Sequence, residues 1–140
     1  QVCLVASDSY EKILECLKKA KTELGDTLSA IEFMDLPSVN FSLNCFKIEN
    51  PFRDQTYKYY LLIEGSANCS DEELNEKMLD FLVNVSDSYE DALICDNETK
   101  IDTFWKIREG ISVATAENGM TIKIDVSVQS CNFADIIDKT

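Results

Sequence analysis

VCLVASDSYEKILECLKKAKTELGDTLSAIEFMD, residues 2–35, carries a strand, a helix and a second strand in succession. Val2 to Ala6 is an unbroken apolar run of strand length. Asp8, with Glu11 three residues later, has the spacing of a capping box and predicts a helix start. Tyr10, Ile13, Leu14, Leu17, Ala20 and Leu24 then mark one helical face, and Gly25 is placed to end it. Thr27 to Met34 predicts a strand with Ile31 and Phe33 on one side and Leu28, Ala30 and Met34 on the other. Glu32 interrupts that second side, and a carboxylate there needs a neighbouring cation or a partner surface.

The same order recurs further along. Tyr57 to Glu64 predicts a strand rich in tyrosine and aliphatics. Gly65, Ser66 and Asn68 make a turn, and Ser70 or Asp71 opens a helix whose apolar face is Leu74, Met78, Phe81 and Leu82. Asp87 to Asp91 reads as an acidic loop and Ala92 to Cys95 as a buried strand. Two β-α-β units predict an α+β fold: a ferredoxin-like antiparallel sheet with helices mainly on one face. Between the units, residues 35–56 hold both prolines, Pro37 and Pro51, and predict a short helix near Ser38 to Phe46 followed by a loop. An additional helix over Thr99 to Asn118, a strand through Lys123 and a final helical turn from Phe133 to Lys139 extend the sheet. Leu28, Ala30 and Met34 leave the second sheet face too apolar for water, so a further domain is expected to cover it.

Composition bounds the rest. At 140 residues, 45% hydrophobic and 28% charged, the sequence is that of one globular domain spanning 1–140. It begins at Gln1 and reads as a segment of a longer protein. No apolar run has transmembrane length. A formal charge of −13, with 13 lysines and arginines against 26 acids, argues against nucleic acid and an anionic membrane surface as partners. It also requires that any site for a small anion be local and shielded. The six cysteines, at 3, 16, 45, 69, 95 and 131, form no C-x-x-C pair and read as reduced, core-type residues. A secreted, disulfide-bonded domain is the rival reading, supported by sequons at Asn40, Asn68, Asn84 and Asn97. With no histidine, the segment supplies no imidazole base and no imidazole metal ligand.

The candidate site lies in FWKIREGISVATAENGMTIKIDVSV, residues 104–128. Phe104, Ile107, Ile111 and Ala114 recur as a buried helical face, and Trp105, Arg108 and Ser112 form the neighbouring stripe. Arg108 and Ser112 are four apart, one helical turn. Ile122, Ile124, Val126 and Val128 alternate with Thr121, Lys123, Asp125 and Ser127, the pattern of a half-buried strand with Lys123 on its polar side. A guanidinium fork, a lysine point charge and a hydroxyl together suit a small organic acid. Spacing alone favours the plainer reading, a helix with a solvated arginine and a strand with a solvated lysine.

WKIREGIS followed by GMTIKIDVSV resembles the W-A-L-R-E-x-I-T and G-Y-V-Y-K-Y-D-L-S-L-P stretches of the D-2-hydroxyglutarate and D-lactate dehydrogenases, FAD-linked enzymes of the vanillyl-alcohol-oxidase type. ELGDTLSAIEFMD resembles that family's L-G-E-I-L-S-A-F-E-F-M-D, and YYLLIEGSAN its Y-x-L-I-E-T-S-G-S-N. The resemblance implies that the chain is the substrate-binding cap of a longer flavoenzyme, in which Arg108, Ser112 and Lys123 bind the carboxylate of a small 2-hydroxy acid. It implies binders rather than catalytic residues, FAD held by an upstream domain of the same protein, and a divalent metal supplied downstream. A mitochondrial location follows, with the cytoplasm as the alternative. The departures are Ser112, where the family usually has threonine, and Val128-Gln129-Ser130, where its strand usually ends in a proline turn. A non-enzymatic module of the same fold, for example one that interacts with actin, is the alternative function.

Overall fold

The computed structural model of the chain describes residues 1–95, 97–129, 132, 135 and 136. Along the chain run β1 (Val2–Ser7), α1 (Tyr10–Glu23), β2 (Leu28–Asp35), α2 (Leu36–Phe46), β3 (Tyr59–Gly65), α3 (Asp71–Asn84), β4 (Asp91–Ile94) and α4 (Glu98–Glu117). The four strands form one sheet in the order β2-β3-β1-β4, with every pairing antiparallel. This is the expected α+β, ferredoxin-like arrangement.

Because neighbouring residues on a strand point to opposite faces, the two central strands divide their side chains between two cores. Cys3 and Val5 of β1 and Leu61 and Ile63 of β3 pack against Ile13, Cys16 and Ala20 of α1 and Leu74, Met78, Phe81 and Leu82 of α3. Val2, Leu4 and Ala6 of β1 and Tyr60 and Leu62 of β3 face the other way, onto Val39 of α2 and Phe104 and Ile107 of α4. The chain is therefore three-layered. Helices mainly on one face, with a separate domain over the other, is corrected here: this protein's own α2 and α4 cover the second face. The reason lies in the sequence of β1 and β3, which are buried on both sides and so need a layer on each.

Three local expectations are also corrected. The cap of α1 is Ser9, whose Oγ accepts from the Lys12 N–H, while Asp8 accepts from the Lys58 N–H at 2.9 Å. Leu28 packs with Ile31 and Phe33 rather than opposite them, because a register shift between Leu28 and Ala30 breaks the alternation. The strand expected over Ile122 to Val128 does not form, and residues 119–129 lie outside any helix or strand. Its apolar positions stand in solvent, with Ile122 84% and Ile124 76% exposed. A strand needs a neighbour to take its backbone hydrogen bonds, and no other strand pairs with this stretch among the described residues. Most of the final helical turn, Phe133 to Lys139, falls outside the described residues.

The position of α4 depends on Gly110. A Cβ built there would lie 2.4 Å from the Phe46 ring and 2.6 Å from Ser42 Oγ on α2, so only hydrogen fits where the two helices meet. Gly110→Ala gains about 1 kcal/mol of helix propensity and loses about 1 to 3 kcal/mol to overpacking. The expected outcome is a net loss of about 1 kcal/mol in urea unfolding. A stabilised variant would show that α2 moves aside without cost.

The five described cysteines are free, and Cys3, Cys16 and Cys95 are buried; Cys131 lies outside the described residues. Burial raises the Cys3 thiol far above its usual range and pushes Cys16 up to about 12. At neutral pH neither carries appreciable thiolate, the reactive form. Alkylation of the folded protein is therefore expected at exposed Cys69, with Cys3 and Cys16 reacting only after denaturation. Labelling of Cys3 at the rate of Cys69 without denaturant would contradict this packing.

Candidate functional site

Helix α4 carries two of the three residues singled out from the sequence. Asn97 caps it by accepting from the Lys100 N–H, and Phe104, Ile107, Gly110 and Ala114 bury one stripe against the sheet and α2. That burial leaves Trp105, Arg108 and Ser112 along the flank of the helix. Both Trp105 and Arg108 reach down to carboxylates on the sheet. The Trp105 indole N–H donates to Glu64 Oε1 at 3.3 Å, and Arg108 Nη2 donates to Glu32 Oε2 at 3.0 Å.

Glu32 of β2 pairs in register with Leu62 of β3, and Ala30 pairs with Glu64, so the two acids are diagonal neighbours on the face that α4 covers. Ser29 Oγ donates to Glu64 Oε2 at 3.0 Å and completes the cluster. Sequence reasoning anticipated that Glu32 would meet either a cation or a partner surface, and the cation is Arg108. The Trp105–Glu64 contact was missed altogether.

The Arg108–Glu32 ion pair is half-exposed, with side-chain accessibilities of 40% and 33%. Pairs of that kind contribute little to stability, roughly 0 to 1 kcal/mol. More informative is the geometry. A single Nη2 contact uses one of the five guanidinium N–H groups and leaves the others for a further acceptor. Ser112 stands one turn further along, exposed to solvent.

Lys123 is not brought to them. It lies in the exposed stretch after α4, and among the described residues no hydrogen bond or ion pair joins it to Arg108 or Ser112. The structure thus assembles Arg108 and Ser112 on one helix flank, adds Glu32 behind the arginine, and leaves the lysine apart. A separate open groove of about 570 Å³ runs by β4 between Phe52, Arg53, Asp91, Lys100 and Phe104, and contains none of the three.

The described residues offer no uncontested anion site for a flavin dinucleotide's pyrophosphate. A pyrophosphate is commonly held by free backbone N–H groups at a helix N-terminus. Here each of the four α-helices has one first-turn N–H taken by its own cap: Ser9, Asp35, Ser70 and Asn97 accept from Lys12, Ser38, Glu73 and Lys100. The groove by β4 is lined by Glu49 and Asp91 as well as by cations, and those carboxylates repel phosphate. Among the described residues no group of three or more His, Cys, Asp or Glu is arranged to hold a metal ion, and no helix is long and apolar enough to cross a membrane.

Comparison with known proteins gives a match over residues 1–140 to the family described as FAD linked oxidases, C-terminal domain. Similar proteins include a probable mitochondrial D-2-hydroxyglutarate dehydrogenase of Oryza sativa subsp. indica, 33% identical over 99% of this chain and 25% of that protein. The mitochondrial D-2-hydroxyglutarate dehydrogenase of Danio rerio is 30% identical over 97% of this chain and 25% of its own length. A putative mitochondrial D-lactate dehydrogenase of Schizosaccharomyces pombe is 27% identical over 94% and 25%. The chain thus spans about a quarter of the length of the curated relatives it matches. None of these names supports the actin-interacting alternative.

Proposed function

The chain belongs to the FAD linked oxidases, C-terminal domain family, and from that premise we propose that it is the substrate-binding cap of an FAD-dependent dehydrogenase oxidising a D-2-hydroxy acid to the 2-oxo acid. D-2-hydroxyglutarate is the foremost candidate and D-lactate the second, since both names occur among the relatives. The observation that carries the reading is the presentation of Arg108: a guanidinium on the flank of α4, held at one nitrogen by Glu32, on a side chain that is 40% exposed. Such a group takes a carboxylate with charge-assisted hydrogen bonds, and the Ser112 hydroxyl one turn away adds a donor.

Lys123 is the third binder in this proposal. The alternating stretch Thr121 to Val128 becomes a strand when the remainder of the enzyme offers an edge, which buries Ile122, Ile124 and Val126 and brings Lys123 towards the acid. The role of all three is to orient, fixing the acid so that its C2 carbon faces the oxidising centre. FAD, in this reading, is held by an FAD-binding domain of the same polypeptide, and the relatives' names support a mitochondrial location. The 140-residue segment alone is expected to turn over no hydroxy acid.

The test uses the full-length protein loaded with flavin and mixed anaerobically with each enantiomer of 2-hydroxyglutarate and lactate. The expected result is bleaching of the visible flavin band by a D enantiomer and not by its L counterpart. A flavoprotein bleached by dithionite but by no D-2-hydroxy acid would overturn the reading.

A further inference from the structure

Glu32 interrupts an apolar row on the face that α4 covers. Its register partner Leu62 is buried, as is Met34 on the same face of the same strand. Its own side chain remains one-third exposed, and the cation it contacts is Arg108, 76 residues away in sequence. We propose that Glu32 is a positioning residue: it holds the Arg108 guanidinium from the sheet side, in the plane and direction that receive the substrate carboxylate. This inference rests on the carboxylate-binding reading of Arg108.

The argument is one of pre-organisation. An arginine side chain carries several rotatable bonds, and a ligand that must order them loses affinity. Here the ordering is done by the fold. Glu32 takes one Nη2 proton at 3.0 Å, and Trp105, three residues earlier on α4, is tied to Glu64 on the next strand. Two contacts therefore fix the flank of α4 to β2 and β3. Among the described residues Arg108 makes no other hydrogen bond or ion pair, and its side chain is 40% exposed.

The negative charge of Glu32 acts in the opposite sense, since it lowers the attraction of the site for an anion. The two effects separate on substitution. Glu32→Gln keeps a carbonyl acceptor at the same place and removes the charge, whereas Glu32→Ala removes both. If holding the fork dominates, alanine weakens binding and glutamine rescues it; if charge competition dominates, both variants bind the acid more tightly.

The experiment measures kcat and KM for the hydroxy acid in the full-length flavoenzyme, for E32A, E32Q, R108A and the double variant E32A/R108A. The expected result is a KM raised about 10-fold in E32A with kcat changed less than about 2-fold, because the interaction is made equally in the ground and transition states. E32Q is expected to stay within about 3-fold of the parent, and E32A to add nothing in the R108A background. A KM unchanged or lowered in E32A, impairment of E32Q equal to that of E32A, or the same E32A factor with and without Arg108 each overturns the positioning role. If R108A itself leaves kcat/KM unchanged, it is the carboxylate-binding reading that fails. Because E32Q is nearly isosteric, it keeps the test decisive even if E32A does not fold.

Discussion

Arg108→Ala in the full-length enzyme is expected to lower kcat/KM for the hydroxy acid on the order of 100-fold or more. A charge-assisted hydrogen bond in a shielded site contributes roughly 1.5 to 3 kcal/mol, and the guanidinium has donors left for two such bonds after Glu32 has taken one. Arg108→Lys keeps the charge and loses the fork, so its activity should fall between parent and alanine. Stability should hardly move, because the Glu32 pair is half-exposed and such pairs are worth at most about 1 kcal/mol. The opposing account, in which Arg108 does nothing except neutralise Glu32, predicts unchanged turnover and a small loss of stability. Kinetics and urea unfolding of the same variant therefore separate the two.

The second large effect is on the fold. Ile63 is fully buried on the central strand β3, between Cys3 of β1 and Ile31 of β2 in register, and beneath the helices α1 and α3. Ile63→Ala leaves a cavity in a layer that cannot collapse from either side, and deletions of this kind cost about 2 to 5 kcal/mol. A domain of this size has a total of only about 5 to 15 kcal/mol. The urea midpoint should fall sharply with little change in slope. A midpoint within experimental error of the parent would mean that the sheet is less tightly packed against α1 and α3 than described.

How much of this was legible beforehand depends on the range of the interaction. The α3 face of Leu74, Met78, Phe81 and Leu82 was readable because helix periodicity is local, while its start was narrowed only to Ser70 or Asp71; Ser70 is the cap, in a capping box with Glu73. The cap of α1 was misplaced by one residue. Asp8 and Ser9 are equally competent, and what decides between them is the Asp8 contact to the Lys58 N–H, 50 residues away. The register shift after Leu28 is likewise a property of the β2–β3 pair and not of β2 alone.

The site was legible in the same uneven way. Helical spacing puts Arg108 and Ser112 on one flank, but it is the resemblance that singles them out as a site, and Glu32, by interrupting an apolar strand side, called for either a cation or a partner surface. The link between them is tertiary. Gly110 passed unnoticed because a glycine in a helix looks like a weakness until the Phe46 ring is placed against it. The alternation from Ile122 to Val128 is a true strand signal without a strand, since a pattern specifies which face is apolar but not where its hydrogen-bonding neighbour is.

The central claim is that Arg108, Ser112 and Lys123 hold one carboxylate. It is tested most directly by the crystal structure of the full-length flavoenzyme with a D-2-hydroxy acid bound. The account predicts the acid's carboxylate about 3 Å from the Arg108 guanidinium, the Ser112 hydroxyl and Lys123 Nζ, with Glu32 still on Nη2 and residues 121–128 paired as a strand. An acid bound elsewhere, with Arg108 engaged by Glu32 alone and Lys123 directed to solvent, would contradict it.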